Sequence, residues 1–452
     1  MTKFFIMKKV TLISLIFLFV FSQNGFAQQE KGIVGSNNWL YNWTEFNPNQ
    51  EDYDEPTQIL TGNITEDTKL SKRETYLLVG NVFVTNNATL TIEPGTVIRG
   101  DYDTKASLTI TRGASIIAKG LETDPIIFTS SKTQKRPGDW GGIIILGNAP
   151  TNRFGNGSVA SYYSDLKTVS YSHTNFGGDS EDSNSGIMKF VRIEYAGKRL
   201  KNNKHVNGLF LAGVGSNTTI NNIMISYAAG NSVEVWGGDL KLNKIVSYRA
   251  STNDYKFNYG AQCILQNSLA VRSPFSSNSS GSKCLEVASF EKKEEVDFSK
   301  SGTVVTARNL TFYNETDNLK ADIEKGLVKE AVYVSENASL HMDKSVITGF
   351  NPAVIFESTI SINQYNLEKI KFTNMYFNNC KGNIFVENNS NNEDLENWYG
   401  NSAFFNVYSK SQDSETFIDI KNNKKPDFRL RINKIIATKE QFAAEDLIIE
   451  DN

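Results

Sequence analysis

Apolar positions along the chain fall in short, alternating, β-branched runs that return about one coil apart. Ile220-Asn221-Asn222-Ile223-Met224, Leu242-Asn243-Lys244-Ile245-Val246 and Leu265-Gln266-Asn267-Ser268-Leu269 repeat one frame at offsets of 22 and 23 residues. A repeat of that length is one turn of a solenoid. The first coil reads clearly from Tyr76, with strands at 77–84 and 88–98; others follow at 108–110, 114–118, 125–128 and 142–146. Gly and Asn supply the corners because they tolerate φ > 0. An antiparallel sandwich is the competing reading. It fits less well, because the spacing is that of coils and hairpin signals are sparse.

The rhythm breaks at 153–186, which is rich in Ser, Gly, Asn and Asp and carries Tyr162, Tyr163, Tyr171 and Phe176. This predicts a long loop thrown from one corner, of the kind that is functional or disordered. Coils resume at 188–193 and run to Val271. A Ser/Asn/Gly linker and a charged stretch then predict a second excursion over 274–300. Strand patterns return at 304–310, 340–347 and 370–377, and residues 317–329 have helical propensity. The polar tail from 391, apolar again at 428–436, is expected to cap the last coil. The organisation read from the pattern is an extended lead-in over 28–60 and a single solenoid over 61–452.

Lys3, Lys8 and Lys9 precede an apolar run over 10–21, and Gly25 and Ala27 are small residues at the −3 and −1 positions. This is the layout of a secretory signal peptide over 1–27. The run is short for a bilayer span, which disfavours the alternative of an N-terminal anchor. No later stretch is apolar enough to span a membrane, and no Cys follows the run to carry a lipid. Export places the protein in the periplasm, at the outer-membrane surface or outside the cell. Cleavage takes the formal charge from −3 to −6, which argues against a nucleic-acid partner. Of the three cysteines, Cys263 and Cys284 lie 21 residues apart. They could stack on successive coils within disulfide reach or remain buried thiols beside Cys380.

Several segments carry a family resemblance. Thr89-Leu90-Thr91-Ile92-Glu93-Pro94-Gly95, Gly138-Asp139-Trp140-Gly141-Gly142, Arg192-Ile193-Glu194-Tyr195-Ala196-Gly197 and Gly213-Val214-Gly215-Ser216-Asn217 resemble exported proteins of Bacteroidota-type bacteria. The resemblance covers about residues 60–290 and implies an all-β, right-handed, single-stranded parallel β-helix. It further implies a cell-envelope or surface protein, sometimes beside TonB-dependent outer-membrane receptors. An outer-membrane or surface protein is therefore the expected partner, with polysaccharide as a second possibility.

Relatives in that group look acid-rich at three places where this chain is not. Here Ala229-Gly230-Asn231-Ser232-Val233-Glu234-Val235-Trp236 keeps Glu234, Thr252-Asn253-Asp254-Tyr255-Lys256 keeps Asp254, and Ser282-Lys283-Cys284-Leu285-Glu286 keeps Glu286. Paired carboxylates serve glycoside hydrolysis, and clustered oxygens serve calcium; both look depleted, so no cofactor is expected and calcium is disfavoured. Glu234 and Lys256 are 22 residues apart, one coil, which predicts an ion-pair ladder of Glu234, Lys256 and Glu286 in place of an acidic site. Lys256 pointing outward without a partner is the alternative. Trp140 and Trp236 are candidates for sugar stacking or for packing between coils. Tyr162 and Tyr163 are candidates for a partner-binding patch or for holding the loop on the wall. His173, His205 and His341 show no metal spacing. The chain reads as a non-catalytic binding or scaffold module, ahead of a polysaccharide lyase or hydrolase and of an adhesin-like structural protein.

Overall fold

The computed structural model describes residues 31–201, 204–276, 282–380, 384–388, 392–422 and 424–431. The expected signal peptide and the last part of the tail lie outside the described residues. Twenty-eight strands join through parallel pairings into one coiled sheet, a parallel β-helix. Its register reproduces the sequence rhythm: Ile220 pairs with Leu242, and Leu242 with Leu265.

The coil has three faces. One, the site face, contains Gly142–Leu146, Leu209–Ala212, Val233–Trp236, Tyr255–Asn258, Leu285–Val287 and Val332–Val334, stacked in that order. The other two meet at a bend inside long strands such as Thr219–Ser226 and Asp239–Tyr248. The bend falls on the middle residue of each repeated frame: Asn222, Lys244 and Asn267 have φ of 53°, 55° and 47°. Asn accepts the left-handed region more readily than most residues. The repeated frame is thus a corner with an apolar residue on either side.

Alternate residues of each strand point inward. Val233, Val235, Tyr255, Phe257, Leu285, Val287, Val332 and Val334 are buried in one continuous core. Each such side chain contributes about 1.5–3 kcal/mol on burial. The Tyr255 hydroxyl is satisfied inside by the carbonyls of Ile245 and Leu269, at 2.9 and 2.7 Å. At the C-terminal end, helix Glu393–Tyr399 places Leu395 and Tyr399 against the last coils, with the Tyr399 ring 5.5 Å from that of Phe372.

The lead-in up to residue 57 carries no strand period for a physical reason: it crosses the rungs, and the coil begins with Gln58–Ile64, which pairs with Thr75–Val84. Gly32 N–H donates to Lys344 O, Ile33 N–H to Thr311 Oγ1 and Val34 N–H to Asn267 Oδ1, so successive residues bond to successively earlier coils. Gly32 approaches so closely that a Cβ there would sit 2.7 Å from Thr311 Oγ1. Further on, Trp43 and Phe46 join Met224, Val246 and Tyr248 in a second apolar cluster. The strap covers one outer face, the strap face. The antiparallel pair Phe417–Asp419 and Asp427–Leu430 lies on the same face, with Phe428 6.2 Å from Phe46.

Residues 153–186 form an ordered flap with an antiparallel bridge, Gly157–Ser158 with Asn175–Phe176, and short 3-10 turns at Val159–Ser161 and Ser164–Leu166. Val159, Tyr163, Leu166 and Phe176 pack on Ile144, Phe210 and Trp236 of the site face. The helical propensity after residue 317 appears as helix Leu319–Glu324. Cys263 and Cys284 are buried free thiols. Cys263 lies on Gln262–Gln266, beside Leu240 and Val305, whereas Cys284 leads into the site face, so the coils do not stack them.

Candidate functional site

Phe210, Glu234, Lys256, Glu286 and Tyr333 occupy five successive rungs of one outward column on the site face. The predicted adjacency of Glu234, Lys256 and Glu286 is therefore present in the strand register. The pairing within it differs from the expected ladder. Lys256 Nζ lies 3.3 Å from Glu286 Oε1 and 2.6 Å from Glu291 Oε1, while no ion pair joins it to Glu234 among the described residues.

Glu234 is fully buried and held by neutral donors. Asn207 Nδ2 and Asn231 Nδ2 donate to Oε2 at 2.6 and 2.9 Å, and Trp236 Nε1 donates to Oε1 at 2.7 Å. The amides belong to a corner ladder. Asn231 N–H donates to Asn207 Oδ1, Asn253 N–H to Asn231 Oδ1 and Lys283 N–H to Asn253 Oδ1. Asn253 Nδ2 then donates to Glu286 Oε2 at 2.8 Å. The ladder has a sequence signature in Asn207, Asn231 and Asn253, which recur about one coil apart among many other Asn residues.

The electrostatics divide the carboxyl groups. Burial pushes the Glu234 carboxyl above its ordinary value, and the pull of Lys256 and the donor hydrogen bonds do not offset it. Burial also acts upward on Glu286, but Lys256 and Lys283 outweigh it and leave the carboxyl below the usual range. The same contest, again decided by Lys256, lowers Glu291. Lys256 itself is held well above the usual lysine value: burial opposes its charge, and Glu286, Glu234 and Glu291 overcome that.

Above this column opens a pocket of about 470 Å³ whose walls include Tyr162, Lys204, Asn253, Lys256, Glu291 and Tyr333. Lys283 Nζ lies 3.6 Å from Glu330 and 5.0 Å from the centre of the Tyr333 ring, and the Tyr333 hydroxyl donates to Glu387 at 3.0 Å. Lys204 Nζ sits 5.0 Å from the centre of the Tyr162 ring. Glu291, Glu330, Tyr333 and Glu387 were not singled out from sequence. They come from excursions and later coils of irregular length, where the period no longer aligns them.

Of the other candidates, Asp254, Trp140, Trp236 and Tyr163 are placed away from the pocket surface. Asp254 is fully buried at the corner, bound to Arg272 Nη1 at 2.8 Å and to the Ser247 hydroxyl at 2.5 Å. Trp140 is fully buried, stacked on Phe128 with its indole N–H given to Glu194 O at 2.7 Å. Trp236 lies under Tyr162, Phe176 and Tyr259. Neither indole has a free face for a sugar, so of the two roles read from the sequence both take packing between coils. Tyr163 is buried against Phe210, its hydroxyl accepting from Asn207, so it holds the flap down instead of offering a patch. Tyr162 alone of the loop tyrosines lines the pocket. His205 also lines it, while His173 stacks on Phe83 and His341 sits exposed on a strand. Among the described residues no group of three or more His, Cys, Asp or Glu is arranged to hold a metal ion. No helix among them is long and apolar enough to cross a membrane.

Coil, flap and charged column together define a parallel β-helix protein with a polar pocket on its outer wall. The chain belongs to the pectate-lyase-like β-helix domain family, which matches it over residues 62–419. Solved structures similar in fold include the catalytic domain of a GH87 α-1,3-glucanase in complex with nigerose. It is 11% identical, with a TM-score of 0.32, covering 80% of this chain and 70% of that one. The Dettilon tailspike protein is 9% identical with a TM-score of 0.20, over 70% of this chain and 62% of that one. No curated protein matches the chain.

Proposed function

We propose that this protein is an exported, non-catalytic binding module of the cell envelope. In this reading it works beside an outer-membrane or surface protein and holds a hydroxyl-rich ligand, such as a glycan segment, in the pocket around Lys256. The division of carboxyl groups carries the reading. Acid-assisted cleavage needs a protonated carboxyl facing the ligand. Lys256 holds both Glu286 and Glu291 ionised, with Lys283 adding to it at Glu286, and Lys256 is held protonated by them, so it is a poor base. The carboxyl pushed upward, Glu234, is sealed behind Asn207, Asn231 and Trp236. What faces the pocket is suited to bonding hydroxyls: carboxylate oxygens, ammonium groups, side-chain amides and the edges of Tyr162 and Tyr333.

Affinity purification of the full chain from native membranes tests the proposal, with a Tyr333→Ala, Lys204→Ala variant as comparison. Recovery of an envelope protein or glycan by the wild type, reduced in the variant, supports it. Recovery of the wild type alone, soluble and monomeric, contradicts it.

A further inference from the structure

Two faces of the coil are covered over much of their length, one by the flap and one by the strap. The third is bare. It contains Ser115–Lys119, the first part of Gly186–Glu194, Gln262–Gln266, Val304–Arg308, Ser339–Asp343 and Ile370–Thr373. Its outward side chains stand in columns. Lys119 pairs with Lys189, and that column continues through Asn221, Asn243 and Gln266 to Arg308. The next column runs from Lys241 through Ile264, Thr306 and His341 to Lys371.

This face is basic on a chain whose formal charge is −3. Lys119, Lys189, Lys241 and Lys371 are exposed, and none belongs to an ion pair among the described residues. Arg308 is half-exposed beside Asp343, which is buried and also accepts from Thr373 and Asn374. Exposed acids stand at its edges: Asp239 at the start of its strand, Glu181 and Asp182 beside the Ser216–Asn217 corner, and Glu368 before Ile370–Thr373. From Lys189 onward the cations alternate between the two columns every second rung, in the order Lys189, Lys241, Arg308, Lys371. At about 4.8 Å per rung the array from Lys119 to Lys371 extends about 34 Å. Ile264 and Val304, 43% and 40% exposed, lie level with the sheet near its middle. A linear polyanion would offer these two apolar side chains nothing to meet, whereas a flat strip of cations with exposed Ile264 and Val304 beside them suits anionic headgroups over acyl chains.

We infer that this face docks the protein onto an anionic lipid surface. The site is separate from the Lys256 pocket and does not depend on what the pocket holds. Each basic side chain near such a surface strengthens attachment about fivefold at low salt.

Co-sedimentation of the full chain with phosphatidylcholine vesicles, with and without phosphatidylglycerol, tests it. Retention is expected only with phosphatidylglycerol, and it should be lost as salt rises from about 0.1 M to about 1 M, which shortens the screening length from about 10 to about 3 Å. Lys189→Gln, Lys241→Gln and Lys371→Gln together should weaken retention about a hundredfold. A charge-matched control on other surfaces, Lys320→Gln with Lys325→Gln and Lys410→Gln, should not. Should the triple variant fail to fold, Lys241→Gln alone should lower retention about fivefold. Equal retention by neutral vesicles, unchanged retention of the lysine variants, or capture by soluble dextran sulfate without vesicle binding would each overturn the inference.

Discussion

Glu234 and Lys256 are direct partners in the strand register, yet they do not form an ion pair. Lys256 turns to Glu286 and Glu291, at 3.3 and 2.6 Å, while Glu234 is satisfied by two amides and an indole. One rung thus separates a sealed carboxyl from an ionised cluster that faces the pocket.

Removing Lys256 takes away the 2.6 Å partner of Glu291 and leaves Glu286 the longer contact to Lys283, at 3.9 Å. With its side chain 13% exposed, Lys256→Met should cost about 3 kcal/mol, near the low end for breaking a buried pair. Adding Glu286→Gln and Glu291→Gln should restore most of the loss. Urea denaturation at pH 7 across this cycle measures the coupling; additive losses would show that the three side chains act independently.

The same cluster sets an acid limb of stability. The folded pKa values of Glu286 and Glu291 lie below the unfolded value of about 4.3. Their contribution is complete above that value and is lost as pH falls through the folded values. Glu234 has the opposite sign: its folded value is raised, so stability declines as pH climbs from about 4.3 to that value. Burial raises Glu194, Asp254 and Asp413 as well, so Glu234→Gln should make the declining limb shallower and leave the acid limb. Melting temperature against pH reads both, and an unchanged profile in both Glu234→Gln and Lys256→Met would refute the assignment.

Tyr163 is the pin of the flap. Tyr163→Ala deletes a buried ring at an expected cost of about 3–5 kcal/mol, concentrated locally because the flap adds no strand to the coil. Hydrogen exchange should quicken across 153–186 and Trp236 fluorescence should shift to the red, with the coil still protected. Unchanged exchange in the flap would mean that Val159, Leu166 and Phe176 suffice to hold it.

The coil was legible because its signal is periodic: each frame such as Leu242-Asn243-Lys244-Ile245-Val246 places a corner between two core residues, and the structure repeats it in register. Adjacency of Glu234, Lys256 and Glu286 followed from the same period. Their actual bonding did not, because side-chain pairing depends on Glu291, which an excursion of irregular length brings back to the wall. Asp254 shows the other limit. Its spacing put it near the acids, but it sits at a corner, where Arg272 and Ser247 take it inward. The strap over 31–57 was illegible for a related reason: its contacts with Lys344, Thr311 and Asn267 lie hundreds of residues away and impose no local pattern.

The central claim is that the Lys256 pocket binds without cleaving. Incubating the full chain with a panel of neutral and acidic polysaccharides, and following both retention and the release of reducing or unsaturated ends, tests it most directly. The account predicts retention of at least one polymer, weakened by Tyr333→Ala, with no product released. Product release by the wild type that is abolished in Glu286→Gln or Glu291→Gln would contradict it.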